Sequence, residues 1–418
     1  MMKSCRLRSC FLAICANAFC AGLTLGGDAR GSSAANEIEA ARLKAVRFLV
    51  GCQAADGAWK SDTYGAFKDG GALTGLVVLA LQTAPSVPAA ETACRKGKAF
   101  LAGLVQADGE IKCGPQGLSY PVYTAALTVT ALGGSAEYRR EQRAWLAFLE
   151  KRQLTETLGW QPADKQYGGW GYSSALPQKP SPGELTLPLV ESNLSATLFA
   201  LEALRAAGCR PDDPAPKKAL VFVGRCQNYC EDPKRSDAVL DDGGFFFIYD
   251  DTVRNKAGVA GKDHEGRTRF LSYGSTTADG LRALLACGLS LDDPRVRAAR
   301  GWLEKNFRAD APAGKYAANR ESSRAAVYYY YCSSMARALR AVQTKETRGS
   351  PANWPQKLMS ELLARQQANG SWANPLVNFR EDDPIVATAF GLMALSACRD
   401  FAAEARTGTG GDRGPGGF

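Results

Sequence analysis

Two kinds of helical pattern alternate along the chain. Over 71–81, 123–132, 194–204, 275–285, 331–339 and 385–395, small and apolar residues run almost all round the helical wheel, as in GALTGLVVLAL and IVATAFGLMAL. A helix apolar on every side is one that is buried on every side. Over 41–53, 95–105, 142–152, 217–227, 296–307 and 355–367, charged residues hold one face and apolar residues the other. That is the pattern of a helix lying between core and solvent. The buried set aligns on a residue seven places before a leucine: Thr74, Ala125, Thr197, Thr277, Cys332 and Thr388. Six alternations of an outer and an inner helix predict an all-α fold, an (α/α)6 toroid of six helical hairpins in two concentric layers. Closing the ring also removes the exposed ends that an open repeat array has to cap. The toroid is expected over 37–404.

The loops between outer and inner helices carry a recurring turn. The first copy runs Gln53, Asp56, Gly57, Trp59, and the last runs Gln366, Asn369, Gly370, Trp372, with the same spacing. Gln106, Asp108 and Gly109 form a degraded copy, while Gly168-Gly169-Trp170 and Gly243-Gly244-Phe245 keep only the glycines and the aromatic. Asp-Gly and Asn-Gly make tight turns because glycine accepts positive φ. The glutamine can satisfy backbone groups left open at a helix end, and the tryptophan packs over the turn.

These turns resemble the QW repeat of squalene-hopene cyclases and, more widely, of the prenyltransferase and squalene oxidase repeat family. The resemblance extends over about 40–400 and implies the same α/α toroid. Its chemistry is a separate matter. Class II cyclases of that family carry a DxDD acid leading into an inner helix. The residues here that precede the six anchors are Leu73, Thr124, Ala196, Thr276, Tyr331 and Ala387, and no DxDD string occurs. The nearest substitutes are Asp250 and Asp251 in a long loop, and Asp382 and Asp383 at the start of the sixth inner helix, where Pro384 follows. All four stand as candidate catalytic acids. The plainer reading is a solvated loop for the first pair and a helix cap for the second. Zinc-dependent prenyltransferases bind their metal through Asp, Cys and His, but the single histidine, His264, lies in a polar loop. No metal site is expected, and no cofactor. Thioester domains share the toroid as well. Cys113 and Gln116 keep their Cys–Gln spacing, with Pro115 departing from the pattern.

Composition narrows the compartment and the partners. The chain has 418 residues, 51 Lys+Arg against 42 Asp+Glu, and a formal charge of +9. The basic residues form no dense block, so no nucleic-acid partner is expected. Residues 1–18 read as a signal peptide, with Lys3, Arg6 and Arg8 before a short apolar core and a small-x-small site ending at Ala18. The mature protein is therefore expected to be exported, periplasmic or extracellular, without a transmembrane segment. Residues 19–36 read as a flexible linker and 405–418 as a disordered Gly-rich tail. Nine cysteines lie beyond Cys20. Most sit on helices where a small apolar residue would serve, so buried thiols are the plain expectation.

Aromatics gather where loops meet inner helices. Tyr123, Trp170, Tyr172, Phe245, Tyr273, Tyr328 and Tyr331 are expected to line a central cavity suited to an apolar or isoprenoid ligand. Acids at the same end include Asp62, Asp69, Glu191, Asp241, Asp242, Asp279 and Glu321, and a pair such as Asp241–Asp242 could serve glycoside hydrolysis. The sequence thus points to an exported toroid that handles an apolar or isoprenoid ligand without the known cyclase acid. Two alternatives stay open: a non-catalytic scaffold that binds a protein partner, and an enzyme of unrecognised chemistry on a terpenoid or a glycan.

Overall fold

The computed structural model describes residues 26–407 apart from 114–117, 185–187, 233, 235, 238 and 344–352. For 26–34 and 403–407 only the backbone is described. The signal peptide expected over 1–18, the region of the Cys113–Gln116 motif beyond Cys113, and the end of the tail lie outside the described residues. Residues up to Glu37 group apart from the compact unit that runs from Ile38 onward. The segment expected to be a linker is helical from Gly26, and the last helix continues through Arg406 to Thr407.

The outer helices are α1 (Gly26–Gly51), α3 (Pro88–Ala102), α5 (Arg139–Glu150), α7 (Pro214–Arg225), α9 (Pro294–Asn306) and α12 (Trp354–Arg365). The inner helices are α2 (Gly71–Gln82), α4 (Pro121–Leu132), α6 (Leu194–Ala206), α8 (Gly274–Ala286), α11 (Tyr328–Val342) and α13 (Pro384–Thr407). A short helix, α10 (Glu321–Ala325), and a two-stranded antiparallel hairpin of β1 (Val259–Lys262) and β2 (Thr268–Phe270) lie in the long loops. Each inner helix packs on the next, α2 on α4, α6, α8, α11 and α13 in turn, and α13 returns to α2. The ring is closed, as the alternating pattern predicts. Connections that lead from an outer to an inner helix are long and gather at the inner N-termini. That end is the mouth.

Four of the six turns use one set of contacts. Gln53 Nε2 donates to Gly57 O at 2.9 Å and to Ala93 O of α3 at 2.9 Å. Gln366 Nε2 donates to Gly370 O at 3.0 Å and to Ala41 O of α1 at 2.9 Å. Gln153 does the same with Gly168 O and Ala215 O, and Gln227 with Gly243 O and Arg295 O. Each glutamine therefore ties its own turn to the next outer helix. The backbone N–H of Trp59, Trp170, Phe245 and Trp372 donates to the hydroxyl of the anchor threonine, Thr74, Thr197, Thr277 or Thr388, at 3.0–3.1 Å. The three tryptophans are fully buried, and each indole N–H reaches a carbonyl of the preceding outer helix: Leu49, Leu149 or Leu362. At Gly168 (φ 91°) and Gly370 (φ 90°), a Cβ would strike the backbone oxygen of Lys218 at 1.9 Å or of Lys44 at 2.5 Å. Only glycine lets these turns approach the neighbouring helix so closely.

α13 contains a stretch, Pro384–Ala402, long and apolar enough to cross a membrane by length and composition, and 72% of it is buried inside the ring. All nine cysteines from Cys52 onward are unpaired thiols, and Cys226, Cys287, Cys332 and Cys398 are buried.

Candidate functional site

Polar side chains from four inner helices meet on the axis of the ring. On α6, Ser195, Phe199 and Glu202 are spaced four and three apart and share one face. On α11, Tyr330, Ser334 and Arg337 repeat that spacing, and on α8, Asp279 and Arg282 are one turn apart. Asp279 has no exposed surface. Its Oδ2 accepts from Tyr330 Oη at 2.7 Å and from Ser195 Oγ at 3.0 Å, and its Oδ1 accepts from Ser334 Oγ. Arg282 Nη1 stands 3.8 Å from the same carboxyl. Burial raises this carboxyl above the usual aspartate range, while Arg282 and the three hydroxyls draw it back down.

One turn deeper, Glu202 pairs with Arg282, and Arg337 Nη2 approaches its Oε2 at 3.1 Å. Burial opposes the charge on Glu202, but the two guanidiniums outweigh it and hold the carboxyl below its ordinary value. From α4, Tyr123 stacks on Tyr172 with centroids 5.4 Å apart and packs edge-on against Phe199 at 4.8 Å. The two phenols are 3.2 Å apart, and burial raises both. Tyr172 in turn meets Phe247, with centroids 6.4 Å apart, so the rings form one continuous aromatic cluster beside the polar groups.

Above them, the 226–273 and 366–383 connections bring in Lys256, Phe379 and Glu381. Lys256 is half-buried, with Nζ 4.7 Å from the Phe247 ring centroid and 4.5 Å from that of Phe379. Burial lowers its amine to about 8, against the pull of Asp279 and Glu381. Glu381 is 1% exposed. Its carboxyl accepts from the backbone N–H of Tyr329 at 2.9 Å and Tyr330 at 2.7 Å, so it caps α11. Asn374 adds a third bond at 3.3 Å. Burial pushes the carboxyl up to about 7 despite those donors and the nearby Lys256.

Beside this cluster, Arg380 and Tyr120 adopt positive φ, 68° and 46°. Such backbone is costly for a side-chain-bearing residue and gathers at functional sites. The Arg380 guanidinium lies 3.9 Å over the Tyr64 ring, and Tyr64 Oη donates to Asp382 at 2.5 Å.

The sequence candidates divide sharply. Tyr123 and Tyr172 lie on the axis. Trp170 and Phe245 belong to the wall turns and are fully buried, because the anchor threonine holds each backbone N–H while the Trp170 indole reaches Leu149 O of α5 and the Phe245 ring packs over Gly280 of α8. Tyr328 and Tyr331 point toward the 308–313 connection, donating to Ala309 O at 2.8 Å and Arg308 O at 2.5 Å. A helix turns about 100° per residue, so only Tyr330 of that run reaches Asp279. Tyr273 is buried against Tyr316. Asp250 is exposed and paired with Lys165. Asp251 bonds Arg254 Nε at 2.6 Å. Asp383 caps α13 through Ile385 N at 2.9 Å, and Asp382 holds Tyr64. His264 is exposed, 3.5 Å from Glu265. Among the described residues, no group of three or more His, Cys, Asp or Glu is placed to hold a metal.

Tyr330 belongs to the run of four tyrosines, of which helix geometry lets only one or two face the centre, whereas Lys256, Glu381 and Ser195 have no such mark in the sequence. Asp279, Arg282, Glu202 and Arg337 did carry a signal: they are charges on helices that are otherwise apolar all round. Lys256 carries none, because only the fold of a long loop brings it to the mouth.

A groove of about 520 Å³ lies on the outer wall, lined by Gln53, Pro88, Thr92 and Lys96 among others. It does not reach the axis.

No known family profile and no curated protein sequence matches the chain. Solved structures do. The type II terpene cyclase MstE from Scytonema, bound to its substrate geranylgeranyl dihydroxybenzoate, is 15% identical and has a TM-score of 0.56. The match covers 88% of this chain and 99% of that one. The same cyclase with its product merosterolic acid A is 16% identical over the same shares, with a TM-score of 0.55. An unsaturated glucuronyl hydrolase specific for heparin is 12% identical over 89% of this chain and 98% of its own, with a TM-score of 0.52. At these identities the likeness is one of fold, and it defines the class: an α/α toroid of the kind that terpene cyclases and glycan hydrolases share.

Proposed function

We propose that the protein is exported and takes an apolar, isoprenoid-class ligand at the mouth of its ring, above the Tyr123–Tyr172 stack. One observation carries this reading. Phe247, Phe379, Tyr123, Tyr172 and Phe199 surround a small set of convergent polar groups, Lys256, Asp279, Tyr330 and Ser195, at the end where the long loops gather. Apolar walls with a few placed polar groups are the usual make-up of a small-molecule site. The terpene cyclase neighbour binds a geranylgeranyl compound within the same fold, which supports the ligand class.

A glycan-hydrolase reading asks for two available carboxyls. Asp279 meets three hydroxyls, and Glu381 is occupied by backbone N–H groups, so the pair does not supply them. A second reading, a scaffold for a protein partner, is favoured by the continuous packing of the aromatic cluster.

Native mass spectrometry of the mature protein, purified without detergent and then mixed with farnesol, tests the choice. A one-to-one complex weakened at least tenfold by Phe379→Ala supports the ligand reading. A bare chain at every farnesol concentration overturns it and leaves the scaffold. Export is checked on the same sample, because cleavage after Ala18 gives a chain beginning at Phe19.

A further inference from the structure

Lys256 stands out among the cations of the structure. The guanidiniums on the axis are spent on Glu202 and on Asp279, yet the Lys256 amine forms no ion pair among the described residues. It lies between two phenyl faces instead. An ammonium in such a slot loses hydration and recovers only part of that loss from the rings. Removing the proton removes the penalty, and a desolvated lysine is the form in which the side chain acts as a nucleophile. Lys256 and Phe379 are half-buried and Phe247 is buried, so the slot is closed on the Phe247 side and keeps partial exposure along Lys256 and Phe379.

We propose that Lys256 captures an apolar aldehyde as a Schiff base, with the aldehyde's hydrocarbon chain lying along Phe247 and Phe379. The proposal deepens the ligand reading above and rests on it. The Nζ lone pair forms the N–C bond while the C=O π pair moves to oxygen. One amine proton passes to that oxygen to give a carbinolamine. The hydroxyl then leaves as water with the second amine proton, and the C=N bond remains. Amine plus aldehyde therefore gives imine plus water, with no oxidant or reductant involved.

The charged and titratable groups that face the amine are Asp279 of α8 and Glu381 ahead of α13. Both favour the ammonium, yet burial prevails and sets its value at about 8. Capture should therefore rise with pH and reach half its plateau near pH 8. An exposed lysine reaches that point near the ordinary value of about 10.4.

The test treats the full mature protein with farnesal and cyanoborohydride from pH 6 to 10, with farnesol binding measured in parallel. The expected result is one adduct, of the aldehyde mass less its oxygen, mapped to the peptide that contains Lys256. At pH 7.5 the adduct should be at least tenfold above that on any other lysine. Lys256→Arg, shown by circular dichroism to be folded, should lose it, and Lys262→Arg in the exposed hairpin should keep it. Farnesol binding without a Lys256 adduct overturns the Schiff base and leaves the ligand reading standing. An adduct spread evenly over lysines also overturns it. Failure of both compounds to bind overturns both.

Discussion

In the wall of the ring, the same contacts recur at turns far apart in sequence. Gln53, Gln153, Gln227 and Gln366 each bridge to the next outer helix, and four anchor threonines receive four backbone N–H groups. On the axis nothing repeats. Asp279, Arg282, Glu202 and Arg337 occur once each, on neighbouring helices, and Lys256 and Glu381 come from two unlike loops. The wall is built from what each hairpin needs in order to close against its neighbour. The axis is built from what differs between hairpins, and there a function can reside without disturbing the ring.

That contrast can be broken by substitution. Trp372→Ala removes a fully buried indole and its bond to Leu362, and should cost about 3–5 kcal/mol in urea unfolding. Glu202→Ala leaves Arg282 and Arg337 facing each other without their acid and should cost a similar ~3–5 kcal/mol. Replacing all three of those charges with Leu and Met, in an Asp279→Asn background so that no buried carboxyl is left without Arg282, should be neutral or stabilising. A wall motif has no such apolar substitute, and if the triple variant unfolds, the ionic cluster is part of the architecture after all.

Glu381 gives a pH test of the mouth. Its folded value of about 7 lies above its ordinary 4.5, so between them the native state holds more protons than the unfolded chain. Stability from this group is complete below about pH 4.5 and is lost as pH rises through about 7. The loss is at most ~3 kcal/mol. Comparing denaturation at pH 5 and pH 7 should show that Glu381→Gln flattens this slope. The smallest effect belongs to the glutamines. Gln153→Ala and Gln53→Ala should each cost ~1–3 kcal/mol, equally, because each frees an equivalent pair of carbonyls, one in its own turn and one on the next outer helix. Unequal costs would mean that the short and long turns are not the same device.

The wall was legible because it repeats. Alternating helix patterns and two well-spaced turns were enough for the closed ring. Gln153 and Gln227 carry no such signal, because long insertions separate them from Gly168 and Gly243 and hide the spacing. The axis was legible only in part. Asp279 and Glu202 betray themselves as charges on all-apolar helices, whereas Trp170 and Phe245 were assigned to the cavity because aromatic content alone does not say which side of a wall a ring faces. Lys256 and Glu381 depend on loop paths that no periodicity encodes.

Hydrogen exchange with and without farnesol tests the division between wall and axis most directly. Protection is expected in 245–256, 274–282, 328–334 and 374–381, with none in the wall turns at 53–59 and 366–372. Protection at the outer groove around Gln53 and Lys96, or uniform protection of the whole ring, would contradict it.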